Sequence, residues 1–199
     1  VKVLIFVEGG GNNVDTLKRC KSGFGEYCKK LAPVGKLPKV IPCGGRQQAF
    51  EDYKSALGQA KKGELCALLV DSEGAVGDGL EPMAHLAKRD GWSFVGLDAS
   101  YVFVMVQAME AWFLADRAAL VEYFGKDFRL SSLPGSEKNV EPILKQDLVP
   151  SLEAASKDLK DGGYHKTRNA FTLLGLIDPA KVEAGSPRAA KFHKFLREL

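Results

Sequence analysis

Leu65-Cys66-Ala67-Leu68-Leu69-Val70 runs without a polar break into Asp71-Ser72-Glu73-Gly74. Six consecutive apolar residues bounded by a turn signal predict a strand covered on both faces, as in a parallel sheet. Side chains alternate along a strand, so Asp71 and Glu73 are expected on one side of the chain as it leaves the sheet. A second run, Val3-Leu4-Ile5-Phe6-Val7, enters Glu8-Gly9-Gly10-Gly11 in the same way. If the two strands share a parallel sheet, three carboxylates gather at its carboxyl edge, where open α/β sheets place their sites.

The remaining segments fit that frame. Pro38–Pro42 predicts a short strand, Tyr101–Val106 a strong one, and Ser93–Gly96 a small edge strand. Apolar residues at helical spacing predict helices between them: Val14 to Leu31, Arg46 to Lys61, and one from Glu81 with Pro82 in its first turn. Strands alternating with helices make a parallel sheet with helices on both faces. A helix is expected directly after the fourth strand, over Gln107–Asp116. Strand signals then stop, and helices are expected at 118–125, Val140–Lys160, Thr167–Leu176 and Ser186–Leu199, the last capped by Ser186 with Pro187 at its first position. The expected organisation is an α/β core over residues 1–116 with a helical C-terminal part, 117–199, packed on it.

The chain has 199 residues, 45% of them hydrophobic and 27% charged, as in ordinary globular proteins. No apolar run approaches the roughly 20 residues that span a bilayer, so no membrane partner and a cytoplasmic location are expected. Cys20, Cys28, Cys43 and Cys66 form no Cys-x-x-Cys pair, which predicts reduced, buried thiols rather than a zinc site. The net charge of +3 is unevenly spread: basic over 1–62, acidic over 63–137 and basic again to the end. Such a distribution suits a cation site beside a polyanion-binding surface, and equally a solvated surface.

Four groups of residues carry chemistry. Asp71, Glu73 and Glu8 offer the hard oxygen ligands that Mg2+ or Mn2+ takes, although each acid can also simply end a strand or begin a helix. Gly9, Gly10 and Gly11 with Asn12 and Asn13 can cradle a phosphate on backbone N–H groups, or make a tight, closely packed turn. The loop matches neither G-x-G-x-x-G nor the P-loop signature. Glu110 stands at a third strand-to-helix junction and is a further candidate ligand, while Met109 and Trp112 read as core. Arg46, after Gly44-Gly45, and Lys166, in Tyr164-His165-Lys166-Thr167, are candidate phosphate contacts. No His stands in a nucleophile motif, so triad chemistry is not expected.

Val7-Glu8-Gly9 after one strand and Asp71-Ser72-Glu73 after another resemble the Toprim domain of topoisomerases, primases and OLD-family nucleases. That domain places a Glu and a D-x-D pair on a compact, Rossmann-like parallel sheet; here the pair is D-x-E. The resemblance is closer to an uncharacterised bacterial and archaeal Toprim-like family, through Cys43-Gly44-Gly45-Arg46, Met109-Glu110-Ala111-Trp112, Tyr164-His165-Lys166-Thr167 and Ile177-Asp178-Pro179 as well. It implies Mg2+-dependent phosphodiester hydrolysis of DNA or RNA: a nuclease of a defence- or mobile-element-associated system, sometimes beside an ATPase partner. Glu8, Asp71 and Glu73 would be catalytic, with Glu110 as a further metal ligand and Gly9, Gly10, Arg46 and Lys166 on the nucleic acid. Two alternatives stand beside it. One is a non-catalytic module that binds nucleic acid, a nucleotide or an ATPase through a degenerate site. The other is a nucleotide-dependent enzyme using the Gly9–Asn13 loop.

Overall fold

Each apolar run becomes a strand with two buried faces. A computed structural model describes residues 1–97, 101–160 and 162–199. Its strands β1 (Lys2–Gly10), β2 (Lys39–Gly44), β3 (Glu64–Asp71) and β4 (Val102–Met105) form one sheet in the order β2-β1-β3-β4. Every pairing is parallel. Val7 lies opposite Leu69, so the chain leaves β1 at Glu8 and β3 at Asp71 along the same edge. Pro42 is tolerated because β2 lies at the border of the sheet, where a missing N–H breaks no inner ladder.

The helices between the strands are α1 (Val14–Lys29), α2 (Arg46–Gln59) and α3 (Pro82–Asp90). Beyond β4 come α4 (Glu110–Ala115), α5 (Arg117–Phe124), α6 (Lys145–Ser156), α7 (Lys166–Leu176), α8 (Pro179–Gly185) and α9 (Pro187–Arg197). Alternation along the strands divides the core in two. Ile5, Val7, Ala67, Leu69, Phe103 and Met105 face α1 and the helices after β4. Phe6, Cys66, Leu68, Val70 and Val104 face α2, α3 and the segment carrying Trp92 and Phe94. The four cysteines are free thiols, and three of them are buried. Among the described residues no helix is long and apolar enough to cross a membrane.

Caps explain several boundaries. The Asn13 side chain accepts from the backbone N–H groups of Asp15 and Thr16 at 2.8 and 3.2 Å, starting α1. Ser186 caps α9 through Ala189 N–H, with Pro187 following as expected. Phe192 and Leu196 on that helix are buried, and Trp112 is fully enclosed, stacked on Tyr27 with ring centroids 5.3 Å apart.

Three expectations are corrected and one helix is added. Ser93–Gly96 is not a strand: Trp92 and Phe94 alternate inward, but they pack on Phe50, and the chain turns at Val95-Gly96. Burial there comes from ring stacking, which imitates the period of a strand. The helix expected from Gln107 begins at Glu110, and the one expected from Val140 begins at Lys145. Pro142 disfavours helix at the residue before it, and Val140 N–H instead reaches the Gly185 carbonyl at 2.9 Å. Finally, α8 was not anticipated, although Asp178 caps it and Pro179 opens it.

Two packing details position the site. A Cβ at Gly23 of α1 would stand 2.3 Å from the Phe171 carbonyl oxygen, so α1 and α7 touch backbone to backbone. A buried network ties α1 to the C-terminal helices: Tyr27 Oη lies 2.8 Å from His193 Nε2, and His193 Nδ1 lies 3.3 Å from Glu183.

Candidate metal centre and adjoining cavity

The two central strands deliver the acids. Glu8 lies near the end of β1, and the following Gly9 and Gly10 have positive φ values of 133° and 89°. A Cβ at Gly9 would meet Phe171 and Cys20, and one at Gly10 would meet Leu17. Backbone conformation and close packing therefore account for both glycines. Asp71 is the last residue of β3; its Oδ1 accepts from Met109 N–H at 2.8 Å. Glu73 does not continue the strand. It is left-handed, with φ 65°, the one non-glycine residue so disposed among those described. A left-handed Glu costs roughly 1–2 kcal/mol. The turn is held by Glu73 N–H on the Gln107 carbonyl at 2.8 Å and by His85 Nε2, 2.8 Å from the Ser72 carbonyl. The outcome is convergence: one oxygen from each of Glu8, Asp71 and Glu73 lies within 4.8 Å of the others.

Cations surround two of the three acids. Arg46, at the start of α2, donates to Glu8 at 3.1 Å and to both oxygens of Asp90 at 3.0 and 2.7 Å, and it also reaches the Asp71 carbonyl. Its guanidinium lies over the Trp92 ring at 5.0 Å. Glu73 is paired with Lys145 and, at 3.5 Å, with Arg89. Asp71 is buried and has no ion pair among the described residues; Lys166 and Lys145 act on it only from farther off. Burial, with Glu8 and Glu110 nearby, pushes its carboxyl up to about 8. Burial also raises Glu8, against the opposing pull of Arg46.

Beside the acids lies a half-enclosed cavity of about 400 Å3, bounded by Glu8, Asp71, the Gly9–Asn13 loop, Glu110 and one face of α7. Glu110 is 1% exposed and forms an ion pair with Lys166 at 3.2 Å. Tyr164 Oη donates to Glu110 at 3.4 Å. Lys166, half-exposed at the rim, is cationic: burial opposes its charge, but Glu110 and Asp71 outweigh that.

Three carboxylate oxygens this close, one of them with no direct ion pair among the described residues, fit a hard divalent ion with water completing its shell. The donor set is all oxygen, which suits Mg2+ or Mn2+ and not zinc or copper. Glu110 stands outside the group of three and serves as the partner of Lys166.

Of the residues singled out from sequence, Glu8, Asp71 and Glu73 come together. Gly9, Gly10, Glu110 and Lys166 line the adjoining cavity. Arg46 lies behind Glu8, 15% exposed and fully engaged, away from the cavity wall. Sequence reasoning missed Lys145, Arg89 and Asp90, the counter-charges, because their spacing carries no signal. It also passed over Tyr164 and Phe171, although both adjoin Lys166, in or just beyond a motif that was noticed. Compared with known proteins, residues 7–197 match the model of a family described as Domain of unknown function (DUF4276). No curated protein and no solved structure matches the chain.

Proposed function

The chain belongs to the DUF4276 family, and from its site we propose that it is a divalent-metal-dependent phosphodiesterase acting on nucleic acid, with a Toprim-like site. One observation carries this reading. Asp71 is a buried carboxylate with no ion pair among the described residues, set beside two further carboxylates. Such a group needs a proton or a cation, and the oxygens of Glu8 and Glu73 make a cation the better solution at neutral pH. When bound, Mg2+ or Mn2+ draws charge from a phosphoryl oxygen and favours deprotonation of water.

The chain's own residues do the rest. Arg46 orients the Glu8 carboxylate, the group assigned here to take a proton from the attacking water. Lys166 steadies a phosphate oxygen at the cavity rim. The water oxygen bonds to phosphorus, the ester P–O bond breaks, and the proton ends on the leaving oxygen. The defence-type setting and an ATPase partner follow from the resemblance and belong to this proposal.

The test is cleavage of single- and double-stranded DNA and RNA with Mg2+ or Mn2+. Cleavage is expected to vanish with EDTA and in folded Asp71→Asn and Glu8→Gln proteins. Cleavage that persists in both variants overturns the reading.

One observation favours a second reading. Glu8 and Glu73 already hold cationic partners, as in a degenerate site that binds nucleic acid without cutting it. In that case Mn2+ produces no thermal stabilisation, and nucleic acid still binds the Asp71→Asn protein.

A further inference from the structure

The cavity beside the acids is larger than an ion requires. At about 400 Å3 it lies in the lower part of the roughly 300–1,000 Å3 range of small-molecule sites. Its chemistry is divided. Glu8, Asp71 and Lys166 supply charge, while Met105, Met109 and Phe171 supply apolar surface beside them. Helix α7 contributes both kinds of surface: Lys166 and Thr167 from its first turn, Ala170 and Phe171 from the next. These positions recur at three- and four-residue spacing and share one face. Phe171 packs on Gly9, which fixes the ring beside the cavity. Asn12 and Thr16 add polar groups on the loop side.

A phosphate bound between Lys166 and the carboxylate group would leave its sugar and base to the cavity. Apolar and aromatic surface accepts a base by stacking, whatever the base. A base paired inside a duplex cannot enter a recess without leaving its partner and its stack. We infer that the cavity is a single-nucleotide pocket, and that the substrate is the unpaired terminal nucleotide of a strand, removed from an end. This rests on the phosphodiesterase reading and names the substrate of that same site. In each cycle water adds to the phosphorus of the terminal linkage, the P–O bond to the neighbouring unit breaks, and a mononucleotide leaves as the strand's new end gains the proton.

The experiment compares a linear single-stranded oligonucleotide with a covalently closed circle of the same sequence, using the full chain and Mn2+. Mononucleotides are expected from the linear strand from the first time points, and nothing from the circle. Thr167→Trp places a bulky ring at the exposed mouth without disturbing the core. It is expected to raise KM for the linear strand by about tenfold or more, leaving thermal stabilisation by Mn2+ unchanged. Calorimetry with adenosine monophosphate and Mn2+ tests the pocket without turnover; binding is expected, and its weakening in Thr167→Trp. Cutting the circle as fast as the linear strand, or cutting without binding the mononucleotide, overturns the pocket and leaves the phosphodiesterase reading standing. Binding the mononucleotide while cutting neither substrate overturns phosphodiester hydrolysis and leaves the pocket.

Discussion

The Asp71 Oδ1 atom and the Met109 backbone N–H are joined at 2.8 Å, so the end of β3 is fastened to the start of the helical half of the chain. This bond occupies one oxygen of the carboxylate. It orients the group but does not neutralise it.

Asp71→Asn should therefore stabilise the metal-free protein. An amide oxygen can keep the bond to Met109, while the unpaired buried charge disappears. Calorimetry at pH 8 should show a rise of about 2–4 °C for each kcal/mol gained, together with loss of stabilisation by Mn2+. A variant that still responds to Mn2+ removes Asp71 from the metal site.

The same group sets a pH dependence. Its folded carboxyl titrates near 8, well above its ordinary 3.8. The folded protein thus binds more protons than the unfolded chain between these values, and stability falls as pH rises through that window. His193 works in the other direction, and only lower down: burial depresses its protonation, so it costs stability as pH falls below about 6.5. Comparing pH 6.5 with pH 8.5 in the wild type and in Asp71→Asn separates this carboxylate from Glu8 and the thiols of Cys20, Cys28 and Cys43, which burial also keeps protonated. The melting temperature without metal should drop, the drop should be clearly smaller in Asp71→Asn, and Mn2+ should oppose it in the wild type. A flat profile in the wild type contradicts the assignment.

Glu73→Gly separates ligand from fold. Glycine accepts φ 65° freely, so the turn loses strain of roughly 1–2 kcal/mol. Lys145, about 37% exposed, is left to water, and Arg89 keeps its ion pair with Asp90. Denaturant unfolding should show stability unchanged or raised, with the metal response weakened. Unimpaired Mn2+ binding would make Glu73 a structural acid only.

Lys166→Met leaves Glu110 buried and unpaired, at a cost of about 1–3 kcal/mol. Lys166→Met combined with Glu110→Gln should recover most of that stability but not phosphate affinity. Stabilisation by Mn2+ should survive in both proteins, since Glu110 stands apart from the three converging acids. Its loss in the double variant would show that Glu110 ligates the ion.

Tyr27→Phe removes the hydroxyl facing His193 inside the core. The expected cost, by urea titration, is about 1–3 kcal/mol. No change at all would mean that this buried network does not hold α1 to α9.

What the sequence revealed follows from how each feature is encoded. The strands and their acids were legible because parallel strands are apolar on both faces, and Glu8 and Asp71 interrupt that pattern at its ends. The convergence of Glu73 was also expected, but for a different reason from the one found. Alternation stops at Asp71, and a left-handed residue, invisible to periodicity, turns Glu73 back toward the others. The counter-charges were illegible. Lys145 lies 72 residues from Glu73, and Asp90 lies 44 from Arg46. Only the folded chain brings such pairs together. Ser93–Gly96 failed for the opposite reason: its local pattern was clear, but stacking on Phe50 had produced it.

The contact between Gly23 and the Phe171 carbonyl gives the cavity an adjustable width. Because α1 and α7 meet without a side chain between them, any substituent at position 23 acts as a shim. Alanine, then serine, then valine would lever α7 outward in increments, carrying Lys166 and Phe171 with it. Activity plotted against the bulk of that one remote residue would report how closely the opening is matched to its substrate, with every charged group left in its native chemistry.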